Sequence, residues 1–152
     1  MCIRDSVGTA LREAWAAYPG QTRLQYPSWL DEQQGVRMKV DVVHVVDGAP
    51  RIVADAKYKL ESDSGGYPNA DHYQMLAYCT ALQVPVAWLV YASGSCGTVT
   101  RHVRHSAVQI VEYPLHLEVK PASLLTQIDV LARDAWMRVE IPAGGQRGVL
   151  RQ

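Results

Sequence analysis

The sequence predicts a single α/β domain in which helices flank a mixed β-sheet. Its 152 residues are enough to bury a sizeable core, and 48% hydrophobic with 20% charged residues is the composition of a folded chain. Several short runs alternate apolar and polar residues with the period of a strand, whereas others repeat apolar residues at helical spacing. Taken in order, these runs predict the elements α–β–β–α–β–β–β–α.

The first half of the chain predicts one helix and one hairpin. Residues 9–18 predict the helix, because they carry helix formers between a capping threonine and a Pro-Gly stop. Residues 19–35 are rich in turn formers and polar residues, so we expect a loop there. Residues 36–42 and 52–58 each alternate with period two, and the Asp47-Gly48 pair between them is a strong hairpin signal.

The second half predicts two helices and three strands. We expect Asn69 to cap the first of these helices. The continuous apolar run Val86–Ala92 is typical of a strand covered on both faces. Residues 98–104 and 108–113 predict a further pair of strands, and Pro121 marks the first turn of the last helix.

The domain itself is expected to occupy residues 9–142. Residues 143–152 are rich in Gly and Arg and predict a flexible tail. Residues 1–8 are interpreted as non-native or disordered, because the opening Met-Cys-Ile-Arg-Asp-Ser looks out of place before Val7 and suggests an assembly artefact. A chain that begins partway through a longer protein is the alternative.

Composition restricts the function classes. The formal net charge is zero, so any contact with DNA must come from a local basic patch or from a partner. No apolar run is long enough to span a bilayer, and no signal peptide is present, so a cytoplasmic protein is expected. The three cysteines show neither zinc-site nor disulfide spacing; they are Cys2, Cys79 and Cys96.

One pair of acids and a lysine carry the predicted chemistry. Side chains of a strand alternate between its faces, so Asp55 and Lys57 point the same way, about 7 Å apart. A three-residue hairpin loop at 47–49 places Asp41 opposite Asp55, whereas a four-residue loop places it opposite Ala56 and requires a bulge or slip. Opposite positions lie about 5 Å apart, so the two carboxylates repel unless a cation bridges them.

Hard oxygen ligands of this kind favour Mg²⁺ or Mn²⁺ over zinc. Such an ion polarises a phosphate and lowers the pKa of a bound water, and a neighbouring lysine can orient that water. The alternative is that Asp41, Asp55 and Lys57 are ordinary surface charges, since Asp-x-Lys is a common tripeptide. The apolar residues around Asp55 favour the metal site, because an unpaired carboxylate is costly there.

The helix after Asn69 adds a polar stripe. Asp71, Gln74 and Tyr78 fall at i, i+3 and i+7, on a face interpreted as opposite the apolar one. If this face turns toward the carboxylates, Gln74 and Tyr78 can position a metal, a water or a phosphate. The alternative is a solvated helix face.

These residues together resemble the PD-(D/E)XK nuclease superfamily. Asp41 with Asp55-Ala56-Lys57 is similar to its core motif, and Gln74-Met75-Leu76-Ala77-Tyr78 is similar to the Q-x-x-x-Y element of its RecB-like branch. The longer run Tyr-Pro-Asn-Ala-Asp-His-Tyr-Gln-Met-Leu-Ala-Tyr, residues 67–78, resembles McrC-type subunits of 5-methylcytosine-dependent restriction systems. The resemblance covers about residues 24–139 and implies a restriction-endonuclease-like core.

The resemblance also implies a reaction, namely Mg²⁺-dependent (or Mn²⁺-dependent) endonucleolytic cleavage of DNA. It implies that Asp41, Asp55 and the backbone carbonyl of Ala56 hold the metal, that Lys57 acts on the attacking water, and that Gln74 supports the site. McrC-type proteins act with a McrB-type AAA+ GTPase, so such a partner is expected. A RecB- or Cas4-like exonuclease and a catalytically silent interaction module with the same fold are the alternatives.

The sequence departs from the superfamily pattern in two respects. Val40 stands where proline is usual, and the shortness of the chain leads us to expect that it lacks the N-terminal region of McrC-type proteins. The superfamily often adds an acid from the helix before the first strand, for which Glu13 is the first candidate and Glu32 the second.

A basic cluster lies farther along the chain, and its members are Arg101, His102, Arg104 and His105. Arg101 and Arg104 are candidates for contact with DNA phosphates, and a solvated strand face is the alternative. No G-x-S-x-G, Walker A or G-x-G-x-x-G motif occurs, so the sequence gives no support for a serine-hydrolase, NTPase or dinucleotide-binding function.

Overall fold

A computed structural model describes residues 3–58, 68–92 and 97–139 and shows a six-stranded mixed sheet with three helices. The predicted class, a mixed sheet flanked by helices, is confirmed. The elements in chain order are α1 (Ile3–Trp15), β1 (Gln21–Trp29), β2 (Arg37–Val46), β3 (Ala49–Tyr58), α2 (Asn69–Leu82), β4 (Val86–Ala92), β5 (Val99–His102), β6 (Gln109–Leu115) and α3 (Pro121–Met137).

The strands lie in the order β1-β2-β3-β4-β6-β5. The first three pair antiparallel, β3–β4 and β4–β6 pair parallel, and β5 closes the far edge antiparallel to β6. The central strand β4 is apolar on both faces, as a buried parallel strand is expected to be, and every residue of β4 after Val86 is buried.

Helices cover both faces of the sheet. On one face α1 and α3 pack together, and the indole Nε1 of Trp15 donates a hydrogen bond of 3.0 Å to the carbonyl of Ala132. The core on this side also contains Val42, Ala54 and Trp88. On the other face α2 covers a second cluster of buried residues, which includes Val53, Met75, Cys79, Leu89 and Tyr91.

A buried histidine joins β2 to the start of β1. His44 is fully buried, and its ring lies 5.3 Å from that of Trp15. Its Nε2 is 2.7 Å from the carbonyl oxygen of Pro19, which can only accept, so Nε2 donates. The neutral ring then accepts at Nδ1 from the hydroxyl of Thr22, at 2.8 Å. Burial lowers the pKa of His44, against the opposing effect of the Pro19 carbonyl.

The β2–β3 hairpin differs from the predicted three-residue loop. Val46 pairs with Ala49, so the turn has only two residues, Asp47 and Gly48, both with positive φ as a type I′ turn requires. The register then shifts between His44 and Val45, which leaves Arg51 as an extra residue in β3. Two turn residues plus one bulged residue give the same offset as three loop residues.

Strand β1 is absent from the sequence prediction, which placed a loop at 19–35. Residues 21–29 form a strand whose exposed and half-buried residues alternate along its whole length. The predicted element order is therefore wrong by one strand. A proline and several polar residues obscured the period-two pattern in the sequence. The half-buried residues of this strand are Thr22, Leu24, Tyr26 and Ser28.

The ends of two helices also correct the sequence prediction. Helix α1 begins at Ile3 rather than at residue 9, so the expectation of disorder in 1–8 is wrong for residues 3–8, and Val7 lies in the core. Pro68 rather than Asn69 is the N-cap of α2, and no side chain caps that end. The predicted start of α3 at Pro121 is confirmed. The tail 143–152 lies outside the described residues.

In the part of the chain that the structure describes, no helix is long and apolar enough to cross a membrane.

Candidate functional site

Two carboxyl groups meet where β2 and β3 run side by side. Val42 pairs with Ala54, so the same register continued by one residue places Asp41 opposite Asp55. Both side chains are buried, with 6% and 2% of their residue surface exposed. The backbone N–H of Ala56 donates a hydrogen bond of 3.4 Å to Oδ2 of Asp41. The predicted acid pair is therefore brought together.

Lys57 completes the predicted set. Its Nζ lies 2.9 Å from Oδ2 of Asp55, and its side chain is mostly buried. The two residues project to the same side of β3, as the strand period predicts. Despite this ion pair, Oδ2 of Asp55 has no partner in hydrogen-bond geometry among the described residues. A buried oxygen of this kind is available to a further ligand.

The environment of Asp41 disfavours its charged form. Burial, followed by the hydrogen bond and the repulsion from Asp55, raises the pKa of Asp41 to about 7. Arg4 and the N–H of Ala56 act in the opposite direction and do not offset this effect. Unless a further cation binds, Asp41 is therefore only partly ionised at neutral pH, because two adjacent buried carboxylates cannot both ionise cheaply.

Helix α2 brings two polar side chains to the pair. Tyr78 is buried, and its hydroxyl donates a hydrogen bond of 3.2 Å to the carbonyl of Lys39. Burial, followed by repulsion from Asp55 and Asp41, raises the pKa of Tyr78, and a hydrogen bond with Gln74 opposes that shift. Tyr78 therefore lies near the acids, and Gln74 lies beside Tyr78.

The predicted polar stripe on α2 is not opposite the apolar one. Asp71 and Tyr78 are buried on the sheet-facing side of the helix, together with Met75 and Cys79. The carboxylate of Asp71 accepts a hydrogen bond of 3.2 Å from the hydroxyl of Tyr91. The polar residues are accommodated within the buried face because each has a partner there.

Two residues that the sequence did not single out reach Asp41. Arg4, at the start of α1, has its Nε 3.3 Å from Oδ2 of Asp41. Gln25 has its Nε2 3.5 Å from Oδ1 and takes a left-handed backbone with φ of 53° inside β1. A non-glycine residue in this conformation is uncommon and often marks a functional position. Because β1 was not predicted, no sequence signal pointed to Gln25.

The acids proposed to join the pair lie elsewhere. Glu13 is exposed near the end of α1, nine residues from Arg4 and so about 13 Å along the helix. Glu32 is exposed beyond the end of β1. The structure therefore brings neither candidate to Asp41. Asp5 is the acid of α1 that lines a small cavity together with Asp41.

The two arginines of the basic cluster, Arg101 and Arg104, have different surroundings. Arg101 on β5 is more than half exposed, and its Nε lies 3.0 Å from Oε2 of the buried Glu112. His72 contacts the same carboxylate oxygen from α2. Arg104 is exposed after β5. The ion pairing of Arg101 was not visible in the sequence, because the partner Glu112 is eleven residues away on another strand.

The donor set suits a hard divalent ion. No three His, Cys, Asp or Glu side chains of the described ranges cluster closely enough to hold a metal by themselves. The available set is two carboxylates, Asp41 and Asp55, with the main chain at Ala56 beside them. The oxygen of Asp55 without a hydrogen bond and the proton-holding Asp41 both fit a bound cation, since a cation would replace that proton.

Fold and site together define a class of protein: an α/β domain whose mixed sheet presents a carboxylate pair and a lysine on neighbouring strands under a helix that carries Gln and Tyr. A family model described as McrBC 5-methylcytosine restriction system component matches residues 7–92, which is 86 of the 152 residues. The chain belongs to this family. Arg4 lies before the residues that the family model matches, and we assign its contact with Asp41 no role in the site. No curated protein matches the chain.

A solved structure has a similar fold. It is described as a refined half-complex from a tetradecameric assembly of Thermococcus gammatolerans McrB AAA+ hexamers with bound McrC. One of its chains matches 80% of the present chain with a TM-score of 0.58 and 14% sequence identity. At this identity the likeness concerns the fold alone. The present chain spans 30% of the length of that chain.

Proposed function

We propose that this chain is the nuclease part of a McrC-type subunit and that it cuts DNA internally with the help of Mg²⁺ or Mn²⁺. The observation that carries the proposal is the buried contact between Asp41 and Asp55 with Lys57 at 2.9 Å. A buried, mutually repelling carboxylate pair is unfavourable unless it binds a cation, and such a cost is usually retained only at functional sites. Membership of the restriction family supports the choice of DNA as substrate.

Each residue has a role in this proposal. Asp41, Asp55 and the carbonyl of Ala56 hold the metal, and the bound ion would polarise the scissile phosphate and lower the pKa of its water. Lys57, fixed by its ion pair with Asp55, orients the attacking water and offsets negative charge that develops on the phosphate. Gln74 bonds to Tyr78 and so supports the site through that side chain.

We further propose a McrB-type AAA+ GTPase as the partner. The solved structure of similar fold contains McrB hexamers with bound McrC, according to its description. The formal net charge of zero supports the same view, because a chain without a strong positive field depends on a partner to bring DNA to it.

The test is cleavage of methylated and unmethylated plasmid DNA with Mg²⁺, with and without a McrB-type partner and GTP. The native chain should cut internally in at least one of these conditions, and Asp55→Ala and Lys57→Ala should lower the rate by at least about 100-fold. Asp129→Ala, an exposed acid on α3, is the matched control and should cut as the native chain does. Cleavage that persists in Asp55→Ala contradicts the proposal, as does a native chain that never cuts.

The products separate the two enzyme hypotheses. Conversion of the circular plasmid to nicked or linear DNA indicates endonucleolytic cuts. Degradation of linear DNA from its ends alone favours the RecB- or Cas4-like alternative. Metal binding is checked apart from activity by thermal unfolding. Mg²⁺ or Mn²⁺ should raise the melting temperature of the native chain and of Asp129→Ala, but not of Asp41→Ala. A silent module with this fold would show neither cleavage nor metal-dependent stabilisation.

A further inference from the structure

A second concave site lies beside the acid pair, between α2 and the strands β5 and β6. Its volume is about 490 Å³. Its walls combine charged, aromatic and apolar side chains, which include Asn69, His72, Tyr73, Leu76, Arg101 and Glu112.

Glu112 organises the charges of this pocket. Its residue surface is 4% exposed, and its two carboxylate oxygens lie 3.0 and 3.4 Å from Nε and a terminal nitrogen of Arg101. Burial alone would raise the pKa of Glu112, but the hydrogen bonds from Arg101 and His72 outweigh it and hold the pKa below its usual range. Glu112 is therefore an ionised carboxylate, which fixes two basic side chains at the pocket wall.

Both ring nitrogens of His72 face an acceptor. Its Nδ1 lies 3.1 Å from the carbonyl oxygen of Pro68, which can only accept a hydrogen bond. Its Nε2 lies 2.5 Å from Oε2 of Glu112, which as a carboxylate also only accepts. The pocket wall therefore presents two basic side chains, His72 and Arg101, held by the single carboxylate of Glu112.

The neighbouring acid does not cancel this charge at the pocket wall. Asp71 follows Asn69 by two residues, but its carboxylate faces Tyr91, whose hydroxyl donates to it at 3.2 Å. Asp71 does not line the pocket. The guanidinium of Arg101, by contrast, is 59% exposed and has further N–H groups free to reach outward beyond the two that face Glu112.

The sheet fixes the distance between this pocket and the acid pair. Asp55 pairs with Leu89, and Leu89 pairs with Glu112, so the three residues form one row across β3, β4 and β6. Neighbouring strands lie about 4.8 Å apart, which places Glu112 about 10 Å from Asp55 along this row. In parallel strands such a row lies on one face, so both sites open on the side of α2.

An aromatic ring stands at the same opening. Tyr73 is 67% exposed, although a ring of this size is normally at least half covered in a folded domain. It follows His72 on α2, and Leu76 adds an apolar wall one turn farther on. Cations with an exposed aromatic ring and an apolar wall are the combination that binds a phosphate together with its base.

We propose that this pocket binds one nucleotide of a DNA strand whose neighbouring phosphate lies at the acid pair. Arg101 and His72 contact the phosphate of that nucleotide, and Tyr73 stacks on its base. The proposal rests on the nuclease function proposed above and adds to it a second point of contact with the strand, between α2 and the strands β5 and β6.

The experiment measures binding without chemistry. Fluorescein-labelled single-stranded and duplex oligonucleotides are titrated with the chain in EDTA, by fluorescence anisotropy, at several salt concentrations. Arg101→Gln and His72→Gln should each raise Kd several-fold, and Arg101→Gln should also reduce the slope of log K against log salt by about 1. Tyr73→Ala should raise Kd at least about fivefold and leave the slope unchanged.

Two controls separate a binding role from a structural one. Arg133→Gln removes an exposed arginine from α3, on the opposite face, and should leave Kd within about twofold of the native value. Thermal unfolding of Arg101→Gln and His72→Gln is the second control, because a drop in melting temperature would reveal a structural role of the contacts with Glu112. Circular dichroism establishes that each variant is folded at the temperature of the titration.

The outcomes distinguish this proposal from the nuclease proposal. Unchanged Kd and salt slope in Arg101→Gln and His72→Gln, or no measurable DNA binding by the native chain, overturn the nucleotide pocket even if the chain cuts DNA. Binding that depends on these residues in a chain that never cuts DNA supports the pocket and overturns the nuclease. A loss of binding in Arg101→Gln and His72→Gln that only parallels a loss of folded structure would mean that the cluster serves only to hold β5 and α2 together, which also overturns the pocket.

Discussion

Asp41 and Asp55 place two carboxyl groups in contact inside a buried part of the sheet, and the pair has to hold either a proton or a cation. The pKa of Asp41, raised to about 7, expresses that choice. Lys57 and the N–H of Ala56 are each bonded to only one member of the pair. The metal-free domain is thus under electrostatic strain at this contact at neutral pH.

This strain predicts how metal-free stability varies with pH. The folded pKa of Asp41 lies above its unfolded value of 3.8, so its stabilising contribution is complete below pH 3.8 and is lost as pH rises through about 7. In EDTA, the melting temperature of the native chain should therefore fall relative to that of Asp41→Asn as pH rises across this window. Thermal unfolding at a series of pH values measures the difference.

Asp129→Asn provides the matched comparison, because it changes an exposed acid on α3 in the same way. Its melting temperature should differ from that of the native chain by a constant amount at every pH. A difference between the native chain and Asp41→Asn that is equally constant would show that Asp41 titrates as an ordinary carboxyl group.

His44 predicts a pH effect of opposite sign and a large effect of truncation. Its lowered pKa means that its contribution is present above pH 6.5 and is lost as pH falls through the folded value. His44→Ala removes hydrogen bonds to Thr22 and Pro19 and leaves a cavity beside Trp15, so the free energy of unfolding should drop by about 2–4 kcal/mol. Urea denaturation followed by tryptophan fluorescence measures it.

The control for His44 is His102→Ala, which removes an exposed ring from the edge strand β5. Its cost should stay within about 0.5 kcal/mol. Equal losses in the two variants would mean that the buried hydrogen bonds of His44 contribute nothing beyond an ordinary surface residue.

Among the elements, the β2–β3 hairpin decides whether the acids meet. Its two-residue turn alone would pair Asp41 with Ala54, whose side chain lies in the core on the other face of the sheet. The extra residue Arg51 moves the register by one and brings Asp55 opposite instead. The bulge is therefore as necessary to the site as the acids themselves.

Two glycines in turns predict contrasting effects of the same substitution. Gly48 has a φ of 79° but open space around it, so Gly48→Ala should cost about 1 kcal/mol, from backbone strain alone. Gly20 has a φ of 100°, and an added Cβ would lie 2.3 Å from the carbonyl oxygen of Val45 and 2.9 Å from His44. Gly20→Ala should therefore cost about 3 kcal/mol or more.

Urea denaturation of the two glycine variants side by side checks this contrast. The strain from positive φ is common to both, so the difference between them reports the close approach of Gly20 to β2. Equal costs would contradict the tight packing of the chain at the entry to β1.

The sequence sufficed for most of the elements and for the members of the acid pair. The period of two identified β2 and β3, a continuous apolar run identified β4, and Asp55-x-Lys57 on one strand needed only the strand period. Pattern failed for β1, where a proline and polar residues interrupt the alternation of an edge strand that is half solvated. Local pattern also cannot show a bulge, since nothing in the residues around Arg51 marks it.

The site beyond the acids depends on pairings between distant residues. Glu112 reaches His72 across 40 positions of sequence, and Asp71 reaches Tyr91 across 20. Such contacts depend on the order of the strands in the sheet, in which β6 lies next to β4. A single sequence holds no record of that order, so the pocket was beyond prediction.

At the scale of the whole molecule, the sheet has a rigid centre and two unequal edges. β4 is flanked by β3 and β6 and covered by helices on both faces, whereas β5 contributes only four residues at one edge. Amide hydrogens of β4 should therefore exchange only through global unfolding, and those of β5 at least about tenfold faster through local opening. Hydrogen exchange followed by mass spectrometry measures this, and uniform exchange across the sheet would contradict it.

The two faces of the sheet have different tasks. The face under α1 and α3 is apolar and carries the tryptophans of the core. The face under α2 carries the acid pair and the nucleotide pocket, so the movement of this one helix affects both. Both layers contribute buried core, but only the layer under α2 also contains the site.

Cys79 allows the detachment of α2 from the sheet to be measured. It follows Tyr78 on α2, is buried against the sheet, and has a thiol whose pKa burial raises to about 12. At neutral pH the sulfur is therefore a shielded thiol rather than a thiolate, and an alkylating reagent reaches it only when α2 detaches from the sheet. The rate at which the peptide that contains Cys79 is alkylated therefore reports the rate of that detachment, and no probe has to be added to the chain.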